Sequence, residues 1–327
     1  MFSSKILLDS VSPTGKRLTT FEITFPRVVL AEFNTHRALS RNSASSRAIP
    51  IETMLKRVSE NPFIPRKWGK PAKGMGAKEY YDVNSSAHKI LTEEYLEHLD
   101  NTIRFVKRNA EIGNKEDLNR LLEPFMWHTV IVTATEFDNF FALRTNSGAD
   151  WKIQDIANLM YDDYHFGKCP DGLPTCEVLH APVTTLVKTN DWHCPLIFPE
   201  DEQYIYQFFV EEFKEWQKWF KDADVNIILM EIRKRISAAR CARISYLTHQ
   251  GKRDLIKDIE LFNKLTTSGH WSPLEHVATP YFERNSSAQF YKKDIYDDLP
   301  IGNFIGWKQL RKFFPNENIT SFTKGFA

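Results

Sequence analysis

The chain is 327 residues long and offers few of the features that sort a protein quickly. No apolar run approaches the length of a membrane span. The N-terminus lacks the charged-then-apolar layout of a signal peptide, so a cytoplasmic location is expected, the host cytoplasm if the source is viral. Cysteine is scarce, at Cys169, Cys176, Cys194 and Cys241. That is no disulfide framework for a chain this size, and reduced thiols are expected. The cysteines also lack the close pair that structural zinc sites show, although His180 and His193 lie near them, so packed or loop thiols are expected and metal is not. Charge of one sign is missing as well: 43 Lys and Arg stand against 42 Asp and Glu. Bulk electrostatics therefore nominate neither nucleic acid nor a membrane surface as partner. No tract is of low complexity.

Phe and Trp are plentiful, at 24 and 8, enough to fill one large core or two ordinary ones. Lys5 to Phe25 reads as two strands around a P-T-G turn. Pro26 opens a short helix, and another starts after Pro50. Asn61 to Met75 reads as a loop or lid. Ser85 or Ser86 caps a long amphipathic helix, with Leu96, Leu99, Ile103 and Val106 on its apolar stripe. Helix is expected again over 116–122, then a buried strand in M-W-H-T-V-I-V-T-A-T, then helices over 138–143 and 151–161. The Pro-rich stretch 165–200 reads as a linker or insertion between a part spanning 1–164 and a helical part spanning 201–327. G-W-K-Q-L-R-K near the C-terminus reads as a last helix.

Asn34 to Arg47 is the stretch densest in polar groups, with Arg37, Arg41, Arg47, His36 and four serines. Guanidiniums, hydroxyls and small residues together are how a chain builds an anion site. The plain alternative is a mobile basic loop. Arg120 and Arg144 say little alone. His270, Ser272, Glu275 and His276 crowd one turn, G-H-W-S-P-L-E-H, which suits a capped helix end, a metal site or a polar clamp on a heterocyclic cofactor.

Taken together these segments resemble the flavin-dependent thymidylate synthases, the ThyX family. That family carries R-H-R-x-x-S-x-N-E-x-S-x-R, and T-H-R-A-L-S-R-N-S-A-S-S-R matches it at His36, Arg37, Ser40, Asn42, Ser45 and Arg47. The family's L-R-x-x-x-x-A-Q-W-E-I is similar to L-R-T-N-S-G-A-D-W-K-I from Leu143, and its Arg before a Leu-Pro resembles Arg120. Its A-A-R-V-S-Y and G-H-x-S-P-F-E-H look like the segments ending at Tyr246 and His276. The order differs, since the family places the last segment before the first. Circular permutation explains this, and a trimmed tandem duplication would leave the two strand–helix units F-E-I-T-F-P-R-V-V-L-A-E-F and V-A-T-P-Y-F-E with G-W-K-Q-L-R-K. Non-equivalent units would sink that idea.

The resemblance implies an α+β fold, a ThyX-like domain with a mixed or antiparallel sheet flanked by long helices. It implies reductive methylation of dUMP to dTMP, in which reduced FAD supplies a hydride, methylenetetrahydrofolate the carbon, and NADPH recharges the flavin. Arg144 would bond the uracil ring and stabilise its ionised form as the catalytic residue. Ser43, Ala44, Ser45, Ser46, Arg47 and Arg120 would hold the nucleotide, chiefly its phosphate. His36, Arg37, Asn42 and Asn139 would contact FAD, as would Ser245 and Ser272, with His270 and Glu275 near flavin or folate. A homo-oligomer, a tetramer in the family, is expected. The departures are Thr35 for the first Arg of R-H-R, Glu32 for a Gln, Ser43 for a Glu, and Thr133 and Thr135 in place of an Asn-x-Arg. Gln309 and Arg311 are candidates to compensate. Two alternatives stand beside this reading: a relative that methylates or hydroxymethylates another pyrimidine nucleotide such as dCMP, and a catalytically silent nucleotide-binding protein.

Overall fold

A computed structural model describes residues 1–74, 76–166, 185–186, 191–219, 224–250, 254–281, 302–314 and 317. Cys169, Cys176 and His180 lie outside the described residues. The fold is α+β, as expected. Its centre is a sheet of β1 (Ser3–Val11), β2 (Arg17–Pro26), β3 (Ser40–Ser43), β4 (Trp127–Ala134) and β5 (Thr185–Leu186), in the order β3-β4-β2-β1-β5. β1 through β4 pair antiparallel and β5 joins β1 in parallel. Gly15, at φ 78°, makes the β1–β2 turn that the P-T-G signal predicts.

Alternation along β2 and β4 divides the sheet's two faces. Phe21, Ile23, Phe25, Val130 and Val132 are all fully buried on one side. They pack against α5 (Asp138–Arg144) and α6 (Trp151–His165), through Phe140, Phe141, Ile153 and Ile156. To reach them the chain runs through α1 (Leu30–Phe33), α2 (Ile51–Glu60), α3 (Ser86–Asn109) and α4 (Lys115–Leu121). The last three of these form a second apolar cluster around Leu55, Ile103, Val106 and Leu122. Ser85 does cap α3, its side chain accepting from the His88 N–H.

The sheet's other face is largely polar, with Thr20, Glu22, Thr24, Thr129 and Thr133 in its strands. Over it lie residues 191–198 and α8 (Val225–Arg243), with α7 (Glu202–Trp219) and α9 (Leu255–Thr267) packed on α8. A buried ionic cluster ties this half together. Arg240 bonds Asp201 at 2.7 Å and Asp258 at 3.1 Å, and Arg243 reaches Asp258 at 2.7 Å. Cys194 and Cys241 are free, buried thiols, and burial pushes Cys194 up to about 12, which leaves it packed and unreactive.

One element has no signal in the sequence, and one expectation fails. Ser40–Ser43 is a strand, though its residues lack β-propensity; β4 supplies its ladder and so overrides the local preference. G-W-K-Q-L-R-K is no helix. Trp307–Gln309 is β7, paired with β6 (Ala278–Pro280) in a separate two-stranded sheet, and a 3-10 turn follows it. The first strand–helix unit lies inside the central sheet and the second outside it, so the units are not equivalent. Trimmed tandem duplication does not account for the segment order.

Candidate functional site

Arg144 ends α5, where a cation is favoured by the helix dipole. Its Nε donates to His36 Nε2 at 2.9 Å, and its Nη2 reaches Thr35 Oγ1 at 3.3 Å. The imidazole accepts from a cation, so it is neutral with its proton on Nδ1. Burial, then Arg144 and Arg41, hold its pKa below the ordinary histidine range. Phe140 fixes the ring edge-on, with centroids 5.0 Å apart. Glu32 stands beside this pair. Burial, then Asp150, raise its carboxyl above the usual range against the pull of Arg144 and Lys152. Its Oε2 is buried and has no hydrogen-bond partner.

The chain after β3 forms a second group. Ser45 N–H donates to the Ser245 carbonyl at 3.0 Å, and Ser46 Oγ donates to Glu123 Oε1 at 2.7 Å. Asn119, buried in α4, donates to the carbonyls of Ser46 and Ile49 and fixes this turn. Arg47 and Arg120, 73 residues apart in sequence, converge on one oxygen, Glu116 Oε1, at 3.6 and 3.2 Å. All three side chains are exposed, so the guanidiniums are open to an anion that displaces Glu116. Arg120 also lines a hollow of about 490 Å³ with Arg27, Asn34 and Glu123.

A third group lines a cleft of about 780 Å³. Arg37, Arg41, Arg311 and Lys312 face it, with Ser272 and Glu275. Cations outnumber carboxylates there. β3 places Ser40 and Asn42 on the face towards the C-terminal half by its two-residue period. Gln309 Nε2 donates to Ser40 Oγ at 3.0 Å, and Asn42 lies 3.2 Å from Ser272 Oγ. Arg311 is held by Glu275 and, at 2.6 Å, by Glu317. Gly302, at φ 100°, closes the far wall so tightly that a Cβ would sit 2.1 Å from Gln309 Oε1.

The structure thus brings together His36 with Arg144, Arg47 with Arg120, Ser45 with Ser245, and Arg37 with Ser272 and Glu275. Ser43 and Ala44 lie between the groups, in and just after β3; the Ala44 N–H donates to the Thr129 carbonyl. Ser46 is buried, and its hydroxyl is committed to Glu123. Asn139 is exposed in the first turn of α5, away from the Arg144 end. His270 is exposed and bonds its neighbour Ser268 at 2.8 Å, outside the cleft. Sequence reasoning missed Glu116 and Lys312, which carry no motif. Among the described residues no group of His, Cys, Asp or Glu is arranged to hold a metal ion, and no helix is long and apolar enough to cross a membrane.

Residues 11–166 match the family model described as thymidylate synthase complementing protein. Among solved structures the chain is similar to a UMP/dUMP methylase, PolB, from Streptomyces cacaoi, bound with 5-Br UMP. The TM-score is 0.39 at 15% identity, over 49% of this chain and 87% of that one. It is also similar to the flavin-dependent thymidylate synthase ThyX of Helicobacter pylori, complexed with FAD and dUMP. There the TM-score is 0.32 at 18% identity, over 45% and 67% of the two chains. No curated protein matches.

Proposed function

We propose that this chain, whose residues 11–166 match the family model described as thymidylate synthase complementing protein, is an FAD-dependent thymidylate synthase that methylates dUMP to dTMP. The observation that carries the reading is the exposed guanidinium pair Arg47–Arg120, with Arg120 lining a hollow that reaches Asn34, next to the Thr35 that Arg144 contacts while His36 orients it. That arrangement suits a nucleoside monophosphate: a dianion at one end and a ring carbonyl at the other.

Arg47 and Arg120 take the phosphate, releasing Glu116. Arg144 keeps Nε on His36 and offers its remaining N–H groups to a ring oxygen, where charge builds as the base is activated. His36 stays neutral, so it orients Arg144 without placing a second cation beside it. The cleft's cations fit the phosphates of a dinucleotide and its Ser and Asn side chains the polar edges, so Arg37, Arg41, Arg311 and Ser272 would hold FAD. When bound, FAD supplies the hydride, with methylenetetrahydrofolate as carbon donor and NADPH as reductant. On this reading Arg311, paired with Glu275 and Glu317, gives the cleft a cation that Thr35 does not, and Gln309 holds Ser40. The reading includes a homo-oligomer in the cytoplasm.

The purified protein should show a flavin absorbance spectrum, and Arg144→Ala should lower kcat on dUMP by about 10²- to 10³-fold, the cost of losing one such donor. Intact turnover in that variant would remove Arg144 from the reaction.

A second reading keeps the chemistry and changes the base. Glu32's buried, unpartnered Oε2 lies beside Arg144, and a carboxylate accepts from the exocyclic amine of cytosine. On this reading dCMP is turned over in preference to dUMP, and Glu32→Gln reverses the preference. Equal loss on both nucleotides would reject it.

A further inference from the structure

An unbroken series of hydrogen bonds crosses the polar face of the sheet. Ser10 Oγ is 2.8 Å from His193 Nδ1, and His193 Nε2 is 2.8 Å from Thr20 Oγ1. Thr20 Oγ1 is 2.6 Å from Thr133 Oγ1, which is 2.8 Å from His276 Nδ1. His276 Nε2 is 3.1 Å from the side-chain amide of Asn42, which touches Ser272 at the cleft. From Ser10 to His276 every member is at most 1% exposed. His193 comes from the segment after 190, outside the family match, and the reaction described above does not use it.

These links are not independent. Each needs one proton between its heavy atoms. A threonine hydroxyl has one proton, and a neutral imidazole gives on one nitrogen and accepts on the other. If Thr20 donates to His193, it must accept from Thr133, and Thr133 must accept from His276. Any break in direction leaves two lone pairs, or two protons, facing each other across 2.8 Å or less among fully buried side chains. The whole series therefore has only two arrangements, one the reverse of the other.

Asn42 chooses between them. With its nitrogen towards His276, it reaches His276 Nε2 at 3.1 Å and the carbonyls of Arg41 and Ser272 at 3.2 and 3.1 Å, and its Oδ1 accepts from Ser272 Oγ at 3.2 Å. Turned over, its oxygen would face those two carbonyls, acceptor against acceptor. The nitrogen therefore points inward. His276 Nδ1–H then donates to Thr133, Thr133 to Thr20, Thr20 to His193 Nε2, and His193 Nδ1–H to Ser10.

We propose that the series is coupled in direction: the orientation of Asn42 at the cleft sets one donor direction from Asn42 to Ser10, and with it the tautomer of the distant His193, while Ser272 Oγ donates to Asn42 and meets a ligand as an acceptor. The cleft at Ser272 then selects ligand N–H or O–H groups over carbonyls. That last consequence rests on the cleft being the cofactor site proposed above; the direction of the series does not. Burial supports it, holding His193 and His276 at about 3 and so neutral across the working pH range.

The test is long-range ¹H–¹⁵N NMR on the full chain labelled with ¹⁵N-histidine, without ligand. Both His193 and His276 should be Nδ1–H tautomers, and any other pattern overturns the proposal. Asn42→Asp cannot donate, so it should turn His276 to Nε2–H and reverse the series. His193, which does not touch residue 42, should then change to Nε2–H as well. An unchanged His193 in a folded Asn42→Asp protein means the bonds are merely local and refutes the coupling. Should that variant fail to fold, the tautomer pair of the unmodified chain still decides. Neither readout depends on what the cleft binds, so a failed flavin titration would leave this result standing.

Discussion

Glu116 separates a phosphate site from a surface ion pair. Its Oε1 lies 3.6 Å from Arg47 and 3.2 Å from Arg120, with the three side chains 43%, 64% and 53% exposed in that order. Exposed pairs of this kind are each worth about 0.2–1 kcal/mol, so both together hold roughly 1 kcal/mol. A nucleotide phosphate that takes both guanidiniums must first give that up. Glu116→Gln keeps the shape and removes the charge, so dUMP should bind about five-fold more tightly. Arg120→Ala acts in the opposite sense. It removes a charge-assisted hydrogen bond of about 1.5–3 kcal/mol and should weaken dUMP binding by about ten- to hundred-fold. Calorimetric titration with dUMP and with deoxyuridine, at low and high salt, resolves these cases. Deoxyuridine lacks the phosphate and should bind all three proteins alike, and salt should shrink the differences for dUMP. If Glu116→Gln weakened dUMP, or changed deoxyuridine equally, Arg47 and Arg120 would not be the phosphate site.

The ionic cluster of the C-terminal half should be costly to break. Arg240→Ala removes the buried cation between Asp201 and Asp258, leaving Arg243 as the remaining cation on Asp258, and should cost about 3–5 kcal/mol, read as a fall in the urea midpoint. Acid should destabilise the fold early. His128, His193 and His276 are held at about 3 chiefly by burial, against about 6.5 in the unfolded chain. Between those values the unfolded chain binds protons that the native one refuses. Stability is therefore complete above about pH 6.5 and falls as pH drops, by about 1.4 kcal/mol per pH unit for each histidine. Urea midpoints that stay level from about pH 6.5 to 4.5 would contradict the buried neutral rings.

The parts of the fold legible in the sequence are those whose pattern is local. β2 and β4 alternate or run apolar, α3 has its Ser85 cap and apolar stripe, and each formed where the periodicity places it. β3 was hidden because Ser-Arg-Asn-Ser has no strand signal of its own. Its ladder comes from β4, and its side chains find partners more than two hundred residues away, in His276 and Gln309. Trp307–Gln309 was misread as helix for the mirror-image reason: the spacing of G-W-K-Q-L-R-K fits a turn of helix, and pairing with β6 decides otherwise. In the candidate site, Arg47 and Arg120 converge on Glu116, and Arg144 bonds His36. Glu116 and His193 could not be found that way, since one is an ordinary acidic residue at a helix start and the other sits in a Pro-rich stretch that resembles a linker. Their roles arise only from what folding brings to them.

The central claim is best tested by the mass of the nucleotide product. The full chain, incubated with FAD, NADPH, methylenetetrahydrofolate and dUMP, should yield a nucleotide heavier by one CH₂ that comigrates with dTMP, and dCMP should remain unchanged under the same conditions. Unaltered dUMP from a protein that binds flavin, or methylation of dCMP alone, would contradict the account.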